Sequence, residues 1–393
     1  RAPESSGILQ IQDLRRAERG TMEAAGEKKR RVCVTGAGGY LASWLVKLLL
    51  SRGYVVHGTV RDPGDPKNAH LKNLDSAAEN LQLFKADMLD YNSIVSAIAG
   101  CEGVFHVASP VPSKKASNPE ASYSVQHVFL TVFQVEVIAP AVTGTLNVLK
   151  ACSEAKVKRV VVVSSVVAVS MSPNWPKGKI RDENCWSDEE YCRKTENWYY
   201  LSKTLAEREA LDFAEKNRLD VVTVCPSFII GPLLQSTINA SSLVLINLLK
   251  GPYILSFVIY AIYKVESHQN MLAPASTYKC VRPTVENKVL SIVDVRDVAD
   301  ALLLVYEEPN ASGRHICAPH RVKMHDLVDI LKSVYPHYKY PEIMLNASFT
   351  EVEEDCEIRS VKLNNLGWKC RTLQESLTDT IECHRAAGLL DRV

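Results

Sequence analysis

Tyr199 and Lys203 are four residues apart in Tyr199-Tyr200-Leu201-Ser202-Lys203, a spacing that puts both on one face of a helix. A phenol alone titrates near pH 10 and is a poor acid–base catalyst at neutral pH. An ammonium beside it favours the phenolate and draws its pKa toward working pH. Ser165 ends a β-branched run, and its hydroxyl can hydrogen-bond a carbonyl oxygen as negative charge develops there. A surface Tyr–Lys pair is the plain alternative, so the reading depends on what else the chain supplies.

Near the start, Thr35-Gly36-Ala37-Gly38-Gly39-Tyr40-Leu41-Ala42 links a strand-like run to a helix-like one. Gly36 permits the tight turn, Gly39 lets the backbone approach a pyrophosphate, and Ala42 keeps the helix close to the sheet. The helix amino end then meets phosphates with free N–H groups and the positive end of its dipole. That context favours a dinucleotide site over a merely structural glycine turn. The second strand ends Gly58-Thr59-Val60-Arg61. An acid there would bind the ribose hydroxyls of NAD, whereas Arg61 suits adenine and a 2′-phosphate, with Lys67 as a second charge. NADP(H) is the expected cofactor, and Asp62 is the residue that would instead serve the ribose. Asp87 reads equally as an acceptor for the adenine amino group and as the cap of the helix after it. Val107-Ala108-Ser109 closes the fourth strand with room for the cofactor.

Positioning these residues requires strands at 31–35, 54–60, 81–86, 103–107, 160–164 and 221–225. Helices are expected at 41–50, 91–99, about 140–155 and 197–217. Strand and helix alternate with β-branched runs, which specifies an α/β fold with a Rossmann-type, doubly wound parallel sheet. A smaller C-terminal substrate lobe should cover the carboxyl ends of the strands. The expected organisation is a disordered tail at 1–29, an NADP-binding domain at 30–226 and, mainly, a substrate lobe at 227–393, some of whose segments return to the sheet. The first Met is Met22, and residues 1–21 read as translated leader sequence.

The 393 residues are 46% hydrophobic and 23% charged, with a net charge of +1, so neither wholesale disorder nor an electrostatic drive toward nucleic acid or an anionic membrane is expected. The longest apolar stretch, 242–263, is broken by Lys250 and Gly251-Pro252, short of the roughly 20 apolar residues of a spanning helix. Eleven cysteines, an odd number and mostly inside apolar runs, read as reduced thiols of a cytoplasmic protein. Cys185 and Cys192 read as unrelated thiols rather than a redox pair. His106 reads as a packed core residue. No metal motif, Walker loop or Gly–x–Ser–x–Gly elbow is present.

Together these motifs resemble the extended short-chain dehydrogenase/reductases, more narrowly the plant cinnamoyl-CoA reductase and dihydroflavonol reductase group. The likeness runs from about Arg31 to the C-terminus. It includes Val104-Phe105-His106-Val107-Ala108-Ser109-Pro110, Asn184-Cys185-Trp186-Ser187-Asp188, Gly231-Pro232-Leu233-Leu234-Gln235, Asn239-Ala240-Ser241 and Leu366-Gly367-Trp368. The resemblance implies a catalytic triad of Ser165, Tyr199 and Lys203, with Ser165 preferred to Ser164 on spacing, and no metal. It implies cofactor contacts at Gly36, Gly39, Tyr40, Leu41, Arg61, Lys67, Asp87, Met88, Val107, Ser109 and Pro226, besides Tyr199 and Lys203. The expected activity is NADPH-dependent reduction of a phenylpropanoid-type carbonyl, in lignin-related metabolism, by a monomer or dimer. Cinnamoyl-CoA reductases proper resemble Asn-Trp-Tyr-Cys-Tyr-Gly-Lys at this helix, whereas this chain has Tyr200, Leu201 and Ser202 between Tyr199 and Lys203. That change favours an aldehyde or ketone over a CoA thioester. A sugar-nucleotide epimerase or dehydratase on the same scaffold, and a silent NADPH-binding relative, stay open.

Two segments look foreign to the group: 121–134 (ASYSVQHVFLTVFQ) and about 251–284. Both are rich in Val, Phe, Ile and Tyr without amphipathic order, and we expect them to be retained introns or errors of the gene prediction rather than the alternative, a pair of surface excursions, the second of which would reshape the pocket. Sequenced transcripts should lack both; reads running uninterrupted through them would contradict this.

Overall fold

A computed structural model describes residues 29–109, 138–176, 178–250, 284–344 and 357–391. The sequence expectations for 1–28, 121–134 and 251–283 fall outside these residues, as does Pro110. The apolar runs form β1 (Arg31–Thr35), β2 (Val55–Val60), β3 (Leu81–Lys85), β4 (Gly103–His106), β5 (Arg159–Val163) and β6 (Val221–Pro226). Between them lie α1 (Tyr40–Ser51), α2 (Tyr91–Ile98), α3 (Ala139–Glu154) and α4 (Trp198–Asn217). Their ends differ from the sequence expectation by about one residue, the usual fraying of such boundaries.

These strands are parallel, and the order across the seven-stranded sheet is β10-β6-β5-β4-β1-β2-β3, where β10 is Gly313–Cys317. The chain leaves β1 toward β2 on one side and returns to β4 on the other, so the order reverses between β1 and β4. Ligands of doubly wound sheets bind at such a crevice, beyond the carboxyl ends of the strands. β5 reads RVVVV, and its three central valines are buried because helices cover both faces of the sheet.

On one face, α1 packs against α6 (Val295–Glu307). Leu41, Ala42, Leu45, Val46, Leu49 and Leu50 of α1 are buried, the recurrence of a helix with an apolar stripe. On the other face, α3 packs between α2 and α4. A second core belongs to the smaller lobe. There β7 (Phe228–Ile230), β9 (Val289–Asp294) and β11 (His320–Lys323) form a three-stranded sheet. Packed with it are α5 (Ala240–Lys250), α7 (Met324–Val334) and α8 (Leu373–Ala386). β8 (Thr284–Glu286) pairs with β12 (Glu342–Met344) at the side. The chain crosses between the lobes more than once: α6 and β10 follow β9 and rejoin the large sheet.

Among the described residues, nine cysteines are all free, Cys185 and Cys192 included. No helix of the described residues is long and apolar enough to cross a membrane.

His384 on α8 is fully buried, and its ring nitrogens have no hydrogen-bond partner among the described residues. Burial lowers its pKa from 6.5 to about 4. The unfolded chain therefore takes up a proton below pH 6.5 that the folded chain refuses, and stability falls as pH drops from 6.5 toward 4. His384→Leu should flatten the dependence of melting temperature on pH across that window; an unchanged slope would contradict the buried neutral imidazole.

Candidate active site

The glycine turn forms as its sequence requires. Gly36 has φ +67°, and a Cβ there would come within 3.0 Å of the Ala108 Cβ. The Gly39 amide donates to the Gly36 carbonyl at 2.8 Å, and a Cβ on Gly39 would meet that same oxygen at 3.1 Å. Gly39 precedes α1 as its N-cap, so the helix has no side-chain cap, and its first turn holds no acid. Its leading N–H groups are thus left to an external anion, and the residues present fit a dinucleotide phosphate. Leu41 is buried beneath the turn. Tyr40 has a different partner: its hydroxyl donates to the Gly231 carbonyl at 2.8 Å, and the Trp44 indole N–H donates to the Pro232 carbonyl at 2.8 Å. These two bonds tie the glycine-turn helix to the smaller lobe.

Arg61 is exposed immediately after β2. Asp62 Oδ1 accepts from the Gly64 amide at 2.9 Å, which commits that carboxylate to its own turn. Lys67, half-exposed in the same loop, pairs with Asp65 at 2.7 Å, so its charge is partly answered within the loop. Asp87 does not cap α2. Asp90 does, accepting from Asn92 and Ser93, while Asp87 Oδ1 accepts from Leu89. Asp87 is exposed beyond β3 and Met88 is half-buried beside it. The Met88 carbonyl accepts from Asn147 of α3.

The end of β4 is held by a chain of hydrogen bonds that sequence reasoning missed. Thr35 and His106 are register partners on β1 and β4. Thr35 Oγ1 accepts the amides of Val107 and Ala108, both at 3.0 Å, which leaves its hydroxyl proton for His106 Nδ1 at 3.0 Å. His106 Nε2 then donates to Thr145 Oγ1 at 3.2 Å, and Thr145 donates to the Ala141 carbonyl. This network assigns the neutral Nε2–H tautomer. Burial, and then the nearby Lys203, push the imidazole down to about 3. His106 is thus a satisfied core residue that fixes the loop through Val107 and Ala108 toward Ser109.

The large sheet brings the three chemistry-bearing residues together. Ser165 lies just beyond β5, and Tyr199 and Lys203 lie on the first turns of α4. The Ser165 hydroxyl oxygen accepts from the Val167 amide at 3.3 Å, and Ser165 lies near enough to Tyr199 to act on its phenol. Burial pushes the Tyr199 phenol up, and the Ser165 contact opposes that. The sequence expectation is a phenol drawn down by Lys203; here removal from water is the larger effect and holds the phenol up. Lys203 is 8% exposed and its Nζ faces the Val163 carbonyl at 3.5 Å. Burial lowers its pKa to about 8 against the opposing pull of Glu207. Pro226, at the end of β6, accepts from the Val166 amide at 3.0 Å and so supports the turn after Ser165.

Sequence reasoning also passed over Glu207 and Arg314. Glu207 follows Lys203 by four residues, so the Tyr199–Lys203 stripe extends one turn further, a signal that was available. Arg314, on β10, carries no such local signal. It grips Glu207 with Nε–Oε1 at 2.9 Å and Nη2–Oε2 at 3.1 Å.

Residues 32–317 match the NAD dependent epimerase/dehydratase family. The chain is 42% identical over 359 residues to cinnamoyl-CoA reductase 2 of Medicago truncatula, covering 91% of this chain and 92% of that protein. It is 37% identical over 369 residues to tetraketide alpha-pyrone reductase 1 of Arabidopsis thaliana, covering 93% and 99%. Among solved structures, vestitone reductase from alfalfa (Medicago sativa) aligns with a TM-score of 0.68 at 30% identity, over 92% of this chain and 100% of that one. Gre2 of Candida albicans in complex with NADPH aligns with a TM-score of 0.68 at 26% identity, over 91% and 99%.

Arg61 should carry the preference between nicotinamides. Titration of Arg61→Ala is expected to show NADPH binding weakened about tenfold, with NADH binding changed less than about twofold. Equal loss for both would refute the 2′-phosphate role.

Proposed function

The chain belongs to the NAD dependent epimerase/dehydratase family, within its cinnamoyl-CoA reductase-like group, and from that premise we propose that it reduces a phenylpropanoid-type carbonyl with NADPH through Ser165, Tyr199 and Lys203. The observation that carries the reading is the convergence of Ser165, just beyond β5, on Tyr199 of α4, with the buried Lys203 one turn along that helix facing the Val163 carbonyl at the carboxyl end of β5. NADPH, when bound, supplies the hydride that reaches the carbonyl carbon.

The chain's own residues handle the oxygen. Ser165 donates a hydrogen bond to the carbonyl oxygen as charge develops on it. Burial keeps Tyr199 protonated, so it is a proton donor to that oxygen. Lys203 presents an ammonium to the cofactor ribose and stabilises the phenolate left behind. An aldehyde or ketone gives the alcohol directly. A CoA thioester gives a hemithioacetal, which collapses to aldehyde and free thiol. Tyr200, Leu201 and Ser202 beside the triad support the aldehyde or ketone, while the identity to a cinnamoyl-CoA reductase supports the thioester. We place the protein in the cytoplasm, a reading supported by the nine free thiols among the described residues.

NADPH oxidation with coniferaldehyde and, in parallel, feruloyl-CoA tests both halves. Wild-type protein should turn over the aldehyde, and Tyr199→Phe should lower the rate by about 10²–10⁴ with NADPH still bound. An active Tyr199→Phe protein would refute the triad. A tightly held nicotinamide with no net oxidation would point to an epimerase instead.

A further inference from the structure

Beneath the triad lies a buried carboxylate that the reduction chemistry does not use. Glu207 is 1% exposed and lies one turn beyond Lys203 on α4. Its Oε2 accepts the Ser164 hydroxyl at 2.7 Å, and Ser164 is the chain neighbour of Ser165. Its Oε1 accepts the Thr223 hydroxyl at 2.6 Å and the Cys225 thiol at 3.3 Å, both from β6. The Arg314 fork from β10 completes the set.

Arg314 is itself fixed on every side. Its Nη1 donates to the carbonyls of Glu183 and Cys185, its Nη2 to the Ala168 carbonyl, and its guanidinium lies 3.4 Å over the Trp186 ring. One carboxylate therefore joins the helix bearing Tyr199 and Lys203 to the strand end bearing Ser165, and to two further strands. A buried ion pair of this kind is weak evidence for stability, because desolvation cancels much of the attraction. Its value lies in specifying geometry.

We propose that Glu207, gripped by Arg314, is the positioning residue of the active site: it sets the spacing between the helix carrying Tyr199 and Lys203 and the strand end carrying Ser165. This rests on the Ser165–Tyr199–Lys203 reading. The same carboxylate also bears on the charge of Lys203. The titratable and charged groups around that ammonium are Tyr199 and Glu207 on α4, His106 on β4, Cys225 on β6 and, across Glu207, Arg314 on β10. β5 contributes the Val163 carbonyl and α3 holds neutral His106 through Thr145. Of these groups Glu207 is the anion, and its pull keeps Lys203 protonated to higher pH.

The test compares wild type, Glu207→Gln, Glu207→Asp and Ser164→Ala, each checked for folding by circular dichroism and for NADPH binding by fluorescence. With coniferaldehyde, Glu207→Gln should lower kcat at least tenfold with KM changed less than about threefold, and should move the alkaline limb of kcat/KM down by a pH unit or more. Glu207→Asp should return the limb toward wild type, because the charge is restored, without restoring the full kcat. Ser164→Ala leaves the ion pair in place and should lower kcat about fivefold with the limb unmoved. If Glu207→Gln does not fold, Ser164→Ala decides: wild-type kcat there overturns the proposal. So does a folded Glu207→Gln protein with unaltered kcat and pH limb. An active Tyr199→Phe protein would instead remove the triad reading on which this rests. An inactive Tyr199→Phe beside a normal Glu207→Gln would sink the positioning role alone.

Discussion

The structure depends on holding a lysine ammonium out of water, between a helix and the middle of a parallel sheet. Lys203 is 8% exposed, and such burial alone drives an amine toward its neutral form. Few surroundings tolerate this. Here the ammonium faces a main-chain carbonyl on one side and a buried carboxylate one turn away. The carboxylate in turn needs Arg314, and Arg314 needs three carbonyls and the face of Trp186. Each buried charge is answered by the next, outward to β10 at the edge of the sheet. The strand that closes this network comes late in the chain. The large sheet is therefore complete only when the C-terminal half has crossed back to it.

The cofactor half of the site obeys a different constraint, close approach. Gly36 and Ala108 leave no space for a larger side chain at the turn. Thr35 and His106 fix the neighbouring loop from below by using every donor and acceptor they have. His106 is held neutral there, so it adds no positive charge beside Lys203. The two halves meet where Tyr40 and Trp44 reach the Gly231-Pro232 carbonyls. A residue expected at the cofactor thus also joins the two lobes. The helix that follows the glycine turn is also the helix that holds the smaller lobe.

Much of this was legible in the sequence, for identifiable reasons. Parallel strands covered on both faces are continuous β-branched runs, so Val160–Val163 and Val221–Cys225 stand out without any tertiary information. The glycine turn is legible because backbone φ and close approach dictate residue type. β10 was not legible. It reads Gly313-Arg314-His315, which looks like surface, and Arg314 is buried because Glu207 neutralises it from 107 positions away. The ion pair of Lys67 with Asp65 is a local turn contact that charge counting does not foresee. Asp87 was given two roles because another acid, Asp90, lies three residues on, and the helix chose the nearer cap.

We propose hydride transfer from NADPH to a carbonyl carbon, with the proton supplied to its oxygen by the Ser165–Tyr199–Lys203 site. It is tested most directly with NADPH carrying deuterium at nicotinamide C4, each epimer in turn, and coniferaldehyde as acceptor. One epimer alone should give coniferyl alcohol with a single deuterium on the carbinol carbon, one per NADPH consumed. Alcohol without deuterium from either epimer, or no alcohol while the protein binds NADPH, would contradict it.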